Sequence, residues 1–445
     1  MDSARPVAWT SSKGGSHRWP GWRSKPWKRG ANGPAAKLSV IFKSSPISKA
    51  SFPPWTGQGL IRTRPHRIKL TTSAGEVCIA SVYGQDPQTG RWFCPLREAW
   101  GLTARQELSP ILEERLCLTA TLTGSYEAAA RVADKWGSPA DDTTIHAHAQ
   151  RAGARAEALA AARVERALEP ATRAEVVAQA KARTKAEAFS LVIEMDGWMV
   201  RERGGQWGLK PPDQQGERVA WHEMKTAIVF RLGQRARTQS GRPVILEKTY
   251  VAWRGEPDEF GRRLYAEALR RGLCQAQKVY VVADGGVWIW NIVADRFGEA
   301  TGVLDFYHAS QHLWAVARAL HADEEQARRW VRPLLHQLKH GGEGRVLKRL
   351  ADLAKRRVGG QDSTVALIET EANYFSRHRD HLRYQAVESE GCPKGSGAIE
   401  STCSQFQDRF KRTGQFWTLP GEQCLLALDL ARRNEDWDEI WELAA

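Results

Sequence analysis

No two cysteines in this 445-residue chain have the C-x-x-C spacing of a zinc site. The seven present, Cys78, Cys94, Cys117, Cys274, Cys392, Cys403 and Cys424, are scattered and odd in number. A zinc ribbon and a disulfide framework are therefore not expected, and reduced, mostly buried thiols are. No stretch approaches the apolar length of a membrane span, and the basic N-terminus lacks the apolar core of a signal peptide. The expectation is a cytoplasmic chain with no membrane partner, associated with the nucleoid because of its charge. Acids are nearly missing from the first 70 residues, which hold Asp2 alone against 14 Lys and Arg. Almost all of the net charge of +14 lies there, and the remainder is close to neutral. With Trp9, Trp19, Trp22, Trp27 and Trp55 set among Pro, Gly and Ser, this stretch is either a loose electrostatic contact for nucleic acid or a plain disordered extension.

The length suffices for two or three domains with a sizeable core. Residues 1–60 read as the basic tail and 61–96 as a small β segment, in which RIKLTT and EVCIASVY flank the turn SAG. Residues 97–190 read as helical. SYEAAARVADKWG puts Tyr126, Ala129, Ala130, Ala133 and Trp136 on one face, Gly137 ends that helix, and TTIHAHAQRAG gives a short second one. This is the pattern of a helix-turn-helix, with Thr143, Thr144, His146, His148 and Arg151 as groove-facing residues, or else of a plain helical hairpin. An Ala/Arg/Glu-rich connector follows, broken at Pro170.

Residues 191–308 change period. LVIEMD, AWHEMKTAIVFRL and VILEKTYVAW read as strands, PDEFGRRLYAEALRRGL as a helix capped near Asp258, and KVYVVAD as a buried strand. VWIWNIVADRF is a short helix and GVLDFYHA a fifth strand. Three strands, helix, strand, helix, strand is the ribonuclease-H-like order of an α/β domain, a mixed five-stranded sheet with helices on both faces. Residues 309–392 read as an all-α insertion, after which 393–445 resume the core. In that last part Ile399, Cys403, Phe406 and Phe410 form one buried stripe, with Glu400 beside it.

Three acids stand out: Asp196 in LVIEMDG, Asp284 in VYVVADGG, and Glu400 in KGSGAIESTCSQFQDRF. A single Asp-Gly after a strand is common in turns. On the first and fourth strands of this order, however, the two aspartates become neighbours at one end of the sheet. Carboxylates so placed repel unless a cation lies between them, which points to a two-metal phosphoryl-transfer site completed by Glu400. Asp305 and His308 form a D-x-x-H on the fifth strand and fall near the same cleft, His308 either contacting a phosphate or serving as a core histidine. Lys394, Arg409, Lys411 and Arg412 around Glu400 are candidate phosphate contacts, and Gly395 and Gly397 permit close backbone approach. Trp288 and Trp290 read as core packing more readily than as base-stacking residues, and Glu194 as a possible accessory ligand.

The stretch from GSGAIESTCSQFQDRFKRTGQFW to the end resembles the C-terminal block of DDE transposases of bacterial insertion sequences, of the Kra-type group related to the Lre-type. VVADGGVWIW and LDFYHASQHL resemble the middle blocks of that group, and LREAWGLTARQELSPILEERLCLTATLTGSYEAAARVADKWG its N-terminal helical block, so the likeness runs from about residue 95 to 445. It implies that Asp196, Asp284 and Glu400 are the catalytic triad and metal ligands, with Asp305 and His308 as the accompanying D-x-x-H. It also implies a ribonuclease-H-like core with a helical insertion, and Mg²⁺ or Mn²⁺ as cofactor. Relatives often carry a cysteine-rich metal-binding stretch near the N-terminus, where Cys78 and Cys94 here stand alone.

The expected activity is binding of the terminal inverted repeats of an insertion sequence by an oligomer on double-stranded DNA, then cleavage and strand transfer. The alternatives are a ribonuclease-H-like structure-specific nuclease and a catalytically silent, transposon-derived DNA-binding protein.

Overall fold

Strand character starts at Ile61 in the computed structural model, which describes residues 59–99, 102, 107–183, 188–209, 216–357 and 362–442. All but the end of the expected basic tail lies outside the described residues. β1 (Ile61–Thr72) and β2 (Gly75–Gln85) form the expected hairpin. Its two-residue turn is closed by Thr72, whose Oγ1 donates to Gly75 O at 2.8 Å, and Gly75 takes φ +111°, which favours glycine. β3 (Trp92–Phe93) extends this small sheet, α1 (Pro95–Ala99) follows, and β4 (Glu107–Leu108) pairs with β1.

The helical region comprises α2 (Pro110–Leu122), α3 (Tyr126–Lys135), α4 (Asp142–Leu168) and α5 (Pro170–Arg183). Gly137 at φ +73° ends α3, and Asp141 caps α4 by accepting from Thr144 N at 2.6 Å. The second helix is not short: α4 runs 27 residues, because nothing between Arg151 and Leu168 breaks its Ala-rich sequence. Gly153 is tolerated within it because a Cβ there would run into the Cys424 backbone.

The main sheet uses β5 (Ser190–Arg203), β6 (Val219–Arg231), β9 (Lys248–Arg254), β10 (Lys278–Ala283) and β11 (Thr301–Leu304). Between β6 and β9 lie β7 (Arg235–Arg237) and β8 (Pro243–Ile245), a separate exposed hairpin, so VILEKTYVAW joins the sheet only from Lys248, where its side chains become buried. The order is β11-β10-β5-β6-β9, with β5, β6 and β9 antiparallel and β10 and β11 parallel to β5. It is a mixed five-stranded sheet in an α/β chain, as the element pattern predicts.

Helices cover both faces. α6 (Pro257–Arg270) and α7 (Val287–Arg296) bury Phe260, Leu264, Ile289 and Ile292 against Leu191, Ile193, Met195, Val229 and Val281. Glu256, not Asp258, is the N-cap of α6; Asp258 pairs with Arg296 instead. The other face, with Val192, Trp198, Ile228, Phe230 and Val282, carries the helical insertion and the C-terminal helices. The insertion is α8 (Phe306–Leu320), α9 (Glu324–Lys339), α10 (Glu343–Lys355), α11 (Asp362–Arg377) and α12 (Tyr384–Ser389). α13 (Gly397–Phe410), α14 (Leu419–Arg433) and α15 (Trp437–Glu442) close the chain. The predicted stripe Ile399, Cys403, Phe406 and Phe410 is buried, with Phe406 stacked 6.4 Å from Trp198. Leu112, Leu116, Ile145 and Ala149 share a core with Leu428 and Ile440, so the helical region is joined to the C-terminal helices rather than set apart as its own domain. Among the described residues no helix is long and apolar enough to cross a membrane.

Glu422 in the first turn of α14 is fully buried, and neither carboxylate oxygen has a hydrogen-bond partner. Burial, with the neighbouring Glu202 charge, pushes its pKa from 4.5 up to about 8. The raised folded value means that the fold prefers the protonated acid. The stability this group contributes is complete below about pH 4.5 and is lost as the pH rises through about 8. Glu422→Gln is expected to melt with wild type near pH 4 and several degrees higher near pH 9. Thermal melts across that range check it, and a gap that fails to open would show that Glu422 is not held as a buried acid.

Candidate active site

Met195, Ala283 and Leu304 form one row across three parallel strands, since Ala283 pairs with both of the others. The next residue of each strand is an aspartate: Asp196, Asp284 and Asp305. Here β10 and β11 end, whereas β5 continues to Arg203 on its pairing with β6. Asp196 is thus not at the end of its own strand, as the sequence suggests, but at the end of the β5–β10 pairing. Residues of even number on β5 and β10 share a face, so Asp196 and Asp284 lie on the side covered by α13.

The chain leaves β10 through Gly285 and Gly286. Gly286 N donates to Asp284 Oδ1 at 2.9 Å, and the Trp290 indole donates to Asp284 O at 2.8 Å. A Cβ at Gly285 would run into the phenol of Tyr374, which reaches over from α11. Trp290 stacks on His381 at 3.8 Å, and Trp288 packs edge-on against Phe260 while donating to Glu223 at 3.2 Å. Both indoles are packing residues that brace the turn after Asp284.

Glu400 comes from the first turn of α13. With Asp196, Asp284, Asp305, His308 and Ser396 it lines a cleft of about 170 Å³, which the exposed Tyr307 and Gln311 also border. Burial, then the charges of Asp284 and Glu400, hold the Asp196 carboxyl up at about 6, against the hydrogen bond it accepts from Gly197 N at 2.7 Å. The structure therefore brings all three acids of the sequence reading to one place, and they repel one another there.

Asp305 borders the cleft and also caps a helix. It follows β11 as the N-cap of α8, so His308 lies in the first helical turn and not on the fifth strand. Its Oδ1 accepts from His308 N at 2.6 Å, and its Oδ2 accepts from Ser396 N at 2.6 Å and Ser396 Oγ at 2.9 Å. Glu194, two residues before Asp196 on the same face, is 1% exposed and accepts from Ile399 N at 2.9 Å through Oε2. Two buried carboxylates thus fasten the start of α13 and aim Glu400 into the cleft. A reading of Asp305-Phe306 as a cap and first helical residue would have found the first of them; nothing in the sequence marks the second. His308 sits edge-on to His312 at 5.0 Å, and His312 Nδ1 lies 2.7 Å from Glu371 Oε2.

The acidic donors, the carboxylates of Asp196, Asp284 and Glu400, suit a hard divalent cation, in a cleft whose acids destabilise each other's charge. Among the described residues no three His, Cys, Asp or Glu side chains stand close enough to form a ready cage. The acids share the cleft without closing on one point.

The expected phosphate and groove contacts divide. Thr143 is exposed at the start of α4, Thr144 is half-buried, and the exposed His146 lies edge-on to Tyr126 at 5.0 Å. Arg151 turns inward onto His148, which also meets Glu113 at 3.0 Å, so neither faces outward. Lys394 pairs with Glu388. Arg409 is 5% exposed, donates from Nε to Ala120 O at 3.1 Å, and lies over the Tyr126 and Trp417 rings. It is no phosphate contact: three residues after Phe406, it falls on the buried side of α13 and fastens that helix to α2 and α3. Lys411 and Arg412 reach the surface beyond the end of α13.

No curated protein matches the chain. Residues 60–440 match the uncharacterised protein family UPF0236, and the chain belongs to that family.

Proposed function

We propose that this protein is a DDE-type transposase with a ribonuclease-H-like core, acting as an oligomer on the terminal inverted repeats of its own insertion sequence. One observation carries the reading. Asp196 and Asp284 lie one residue beyond the last paired row of two adjacent parallel strands, and the late helix α13 brings Glu400 into the same cleft. The strand order, with the first strand central, its two antiparallel successors on one side and two parallel strands on the other, is the one expected of a ribonuclease-H-like core and supports the reading.

Asp196, Asp284 and Glu400 would hold Mg²⁺ or Mn²⁺, which when bound neutralises charge on the attacking and leaving oxygens of an in-line displacement at phosphorus. The chain's own residues do the positioning. Glu194 and Asp305 fix α13, the turn at Gly285 and Gly286 fixes Asp284, and His308 borders the cleft where a phosphodiester would enter. Water attacks phosphorus and gives up a proton, the bond to the 3′ oxygen breaks, and that oxygen leaves as a 3′-hydroxyl; in the same cleft this hydroxyl then loses its proton and attacks a target phosphodiester, whose own 3′ oxygen leaves protonated as the new bond forms. Thr143, Thr144 and His146 at the start of α4, with Lys411 and Arg412, are the proposed contacts to the duplex.

The test is cleavage of a labelled duplex carrying the element's own end, with Mg²⁺ or Mn²⁺, by wild type and Glu400→Gln. Metal-dependent nicking at the end boundary that the variant loses is the expected result. Binding without cleavage by either protein would favour a silent DNA-binding protein, and cutting of branched DNA without regard to the repeats a structure-specific nuclease.

A further inference from the structure

Beyond Asp196, the outer half of β5 and β6 carries one exposed aromatic residue, Trp221, between cations. Trp221 is 51% exposed and sits opposite Arg201 in the β5–β6 register. The Arg201 guanidinium lies 5.8 Å from the centre of the Trp221 ring, and Lys411 Nζ lies 5.5 Å from it. Arg201 is fixed there, donating to the carbonyls of Lys411 and Arg412 and lying 5.3 Å from the Phe416 ring. Phe416 in turn packs 4.8 Å from Trp207, which Arg203 covers at 5.5 Å.

Among the described residues no carboxylate pairs with Arg201, Arg203, Lys411 or Arg412, and the nearby acids are engaged elsewhere: Glu202 with Arg254 at 2.5 Å, Glu223 with Lys225 at 3.2 Å. The patch continues onto the helical region. Arg412 lies against Gly124, where a Cβ would collide with it, and partial burial, then the charge of nearby Arg203, holds the His146 pKa down.

We propose that Trp221, flanked by Arg201 and Lys411, is a stacking platform for an unpaired base of a DNA strand, with Arg203, Lys411 and Arg412 holding the strand's phosphates. The proposal rests on the function given above and names the form of DNA that the site takes. A flat apolar ring between unpaired cations fits a polyanion with planar faces; an apolar protein surface would leave those charges buried without partners. Residues of odd number on β5 face away from α13, so Arg201 and Trp221 lie on the other face of the sheet from the carboxylate cleft, beside the end of α13.

The experiment is an affinity measurement without divalent metal, by fluorescence anisotropy. It compares a blunt duplex with the same duplex bearing a single-stranded tail, using wild type, Trp221→Ala and Trp221→Phe. Wild type is expected to prefer the tailed duplex. Trp221→Ala is expected to lose about ten- to hundred-fold on the tailed duplex and nothing on the blunt one, with Trp221→Phe recovering most of the loss. Equal affinity of wild type for the two duplexes, or an equal loss on both in Trp221→Ala, would overturn the platform. Metal-dependent nicking by the same preparations reads the cleft separately: nicking without any tail preference removes the platform and leaves the catalytic reading standing.

Discussion

Asp284→Asn is expected to bind the element's end as wild type does and to lower metal-dependent cleavage by at least about 10³-fold. The substitution keeps the shape of the side chain and its acceptor for Gly286 N, so the turn after β10 should persist. What it removes is the anionic oxygen pair facing Asp196 and Glu400 across the cleft. A cation in a phosphoryl-transfer site contributes several kcal/mol of charge stabilisation, and about 4 kcal/mol corresponds to about 10³ in rate. Parallel titration of end binding and single-turnover cleavage separates the two effects. Retained cleavage would remove Asp284 from the site, and lost binding would mean that the variant disturbs more than the cleft.

The second large effect concerns Glu194, which no surface probe would find. Its carboxylate accepts from Ile399 N in the turn that carries Glu400, while Lys248 donates to Thr402 Oγ1 at 3.2 Å one turn on. If it is a clamp, the requirement is for an acceptor and not for a charge. Glu194→Gln is then expected to cleave at close to the wild-type rate. Glu194→Leu is expected to lose roughly ten- to a hundred-fold in cleavage, with end binding unchanged, as for other groups that orient a ligand from behind. Ile399 N also reaches Ser396 O at 3.0 Å, so the helix start should survive the leucine. Should Glu194→Gln prove as inactive as Asp284→Asn, Glu194 is itself a ligand and the clamp reading fails.

The same contrast applies to Asp305, whose clamping contacts the sequence does not show. D-x-x-H near a cleft looks like chemistry, yet both Asp305 oxygens are occupied by backbone and hydroxyl donors from α8 and α13. Local sequence shows that an acid is present; it does not show that a serine 91 residues later will donate to it. Arg409 is the converse case. Among Lys394, Lys411 and Arg412 it reads as one more surface cation, and only the approach of α2 and α3 to the far end of α13 makes it a buried tie.

What the sequence determined by itself is the order of elements and the positions of the three acids. Strands such as KVYVVA are apolar on both faces, and the stripe Ile399, Cys403, Phe406 and Phe410 has helical spacing; both are local properties that burial then had to honour. The tertiary structure alone decided the strand register that sets Asp196 beside Asp284, the capture of α13 by Glu194 and Asp305, and the fusion of the helical region with α14 and α15 in one core. Each of these joins residues tens to hundreds of positions apart. Such contacts depend on which apolar faces find each other, a choice that no window of neighbouring residues contains.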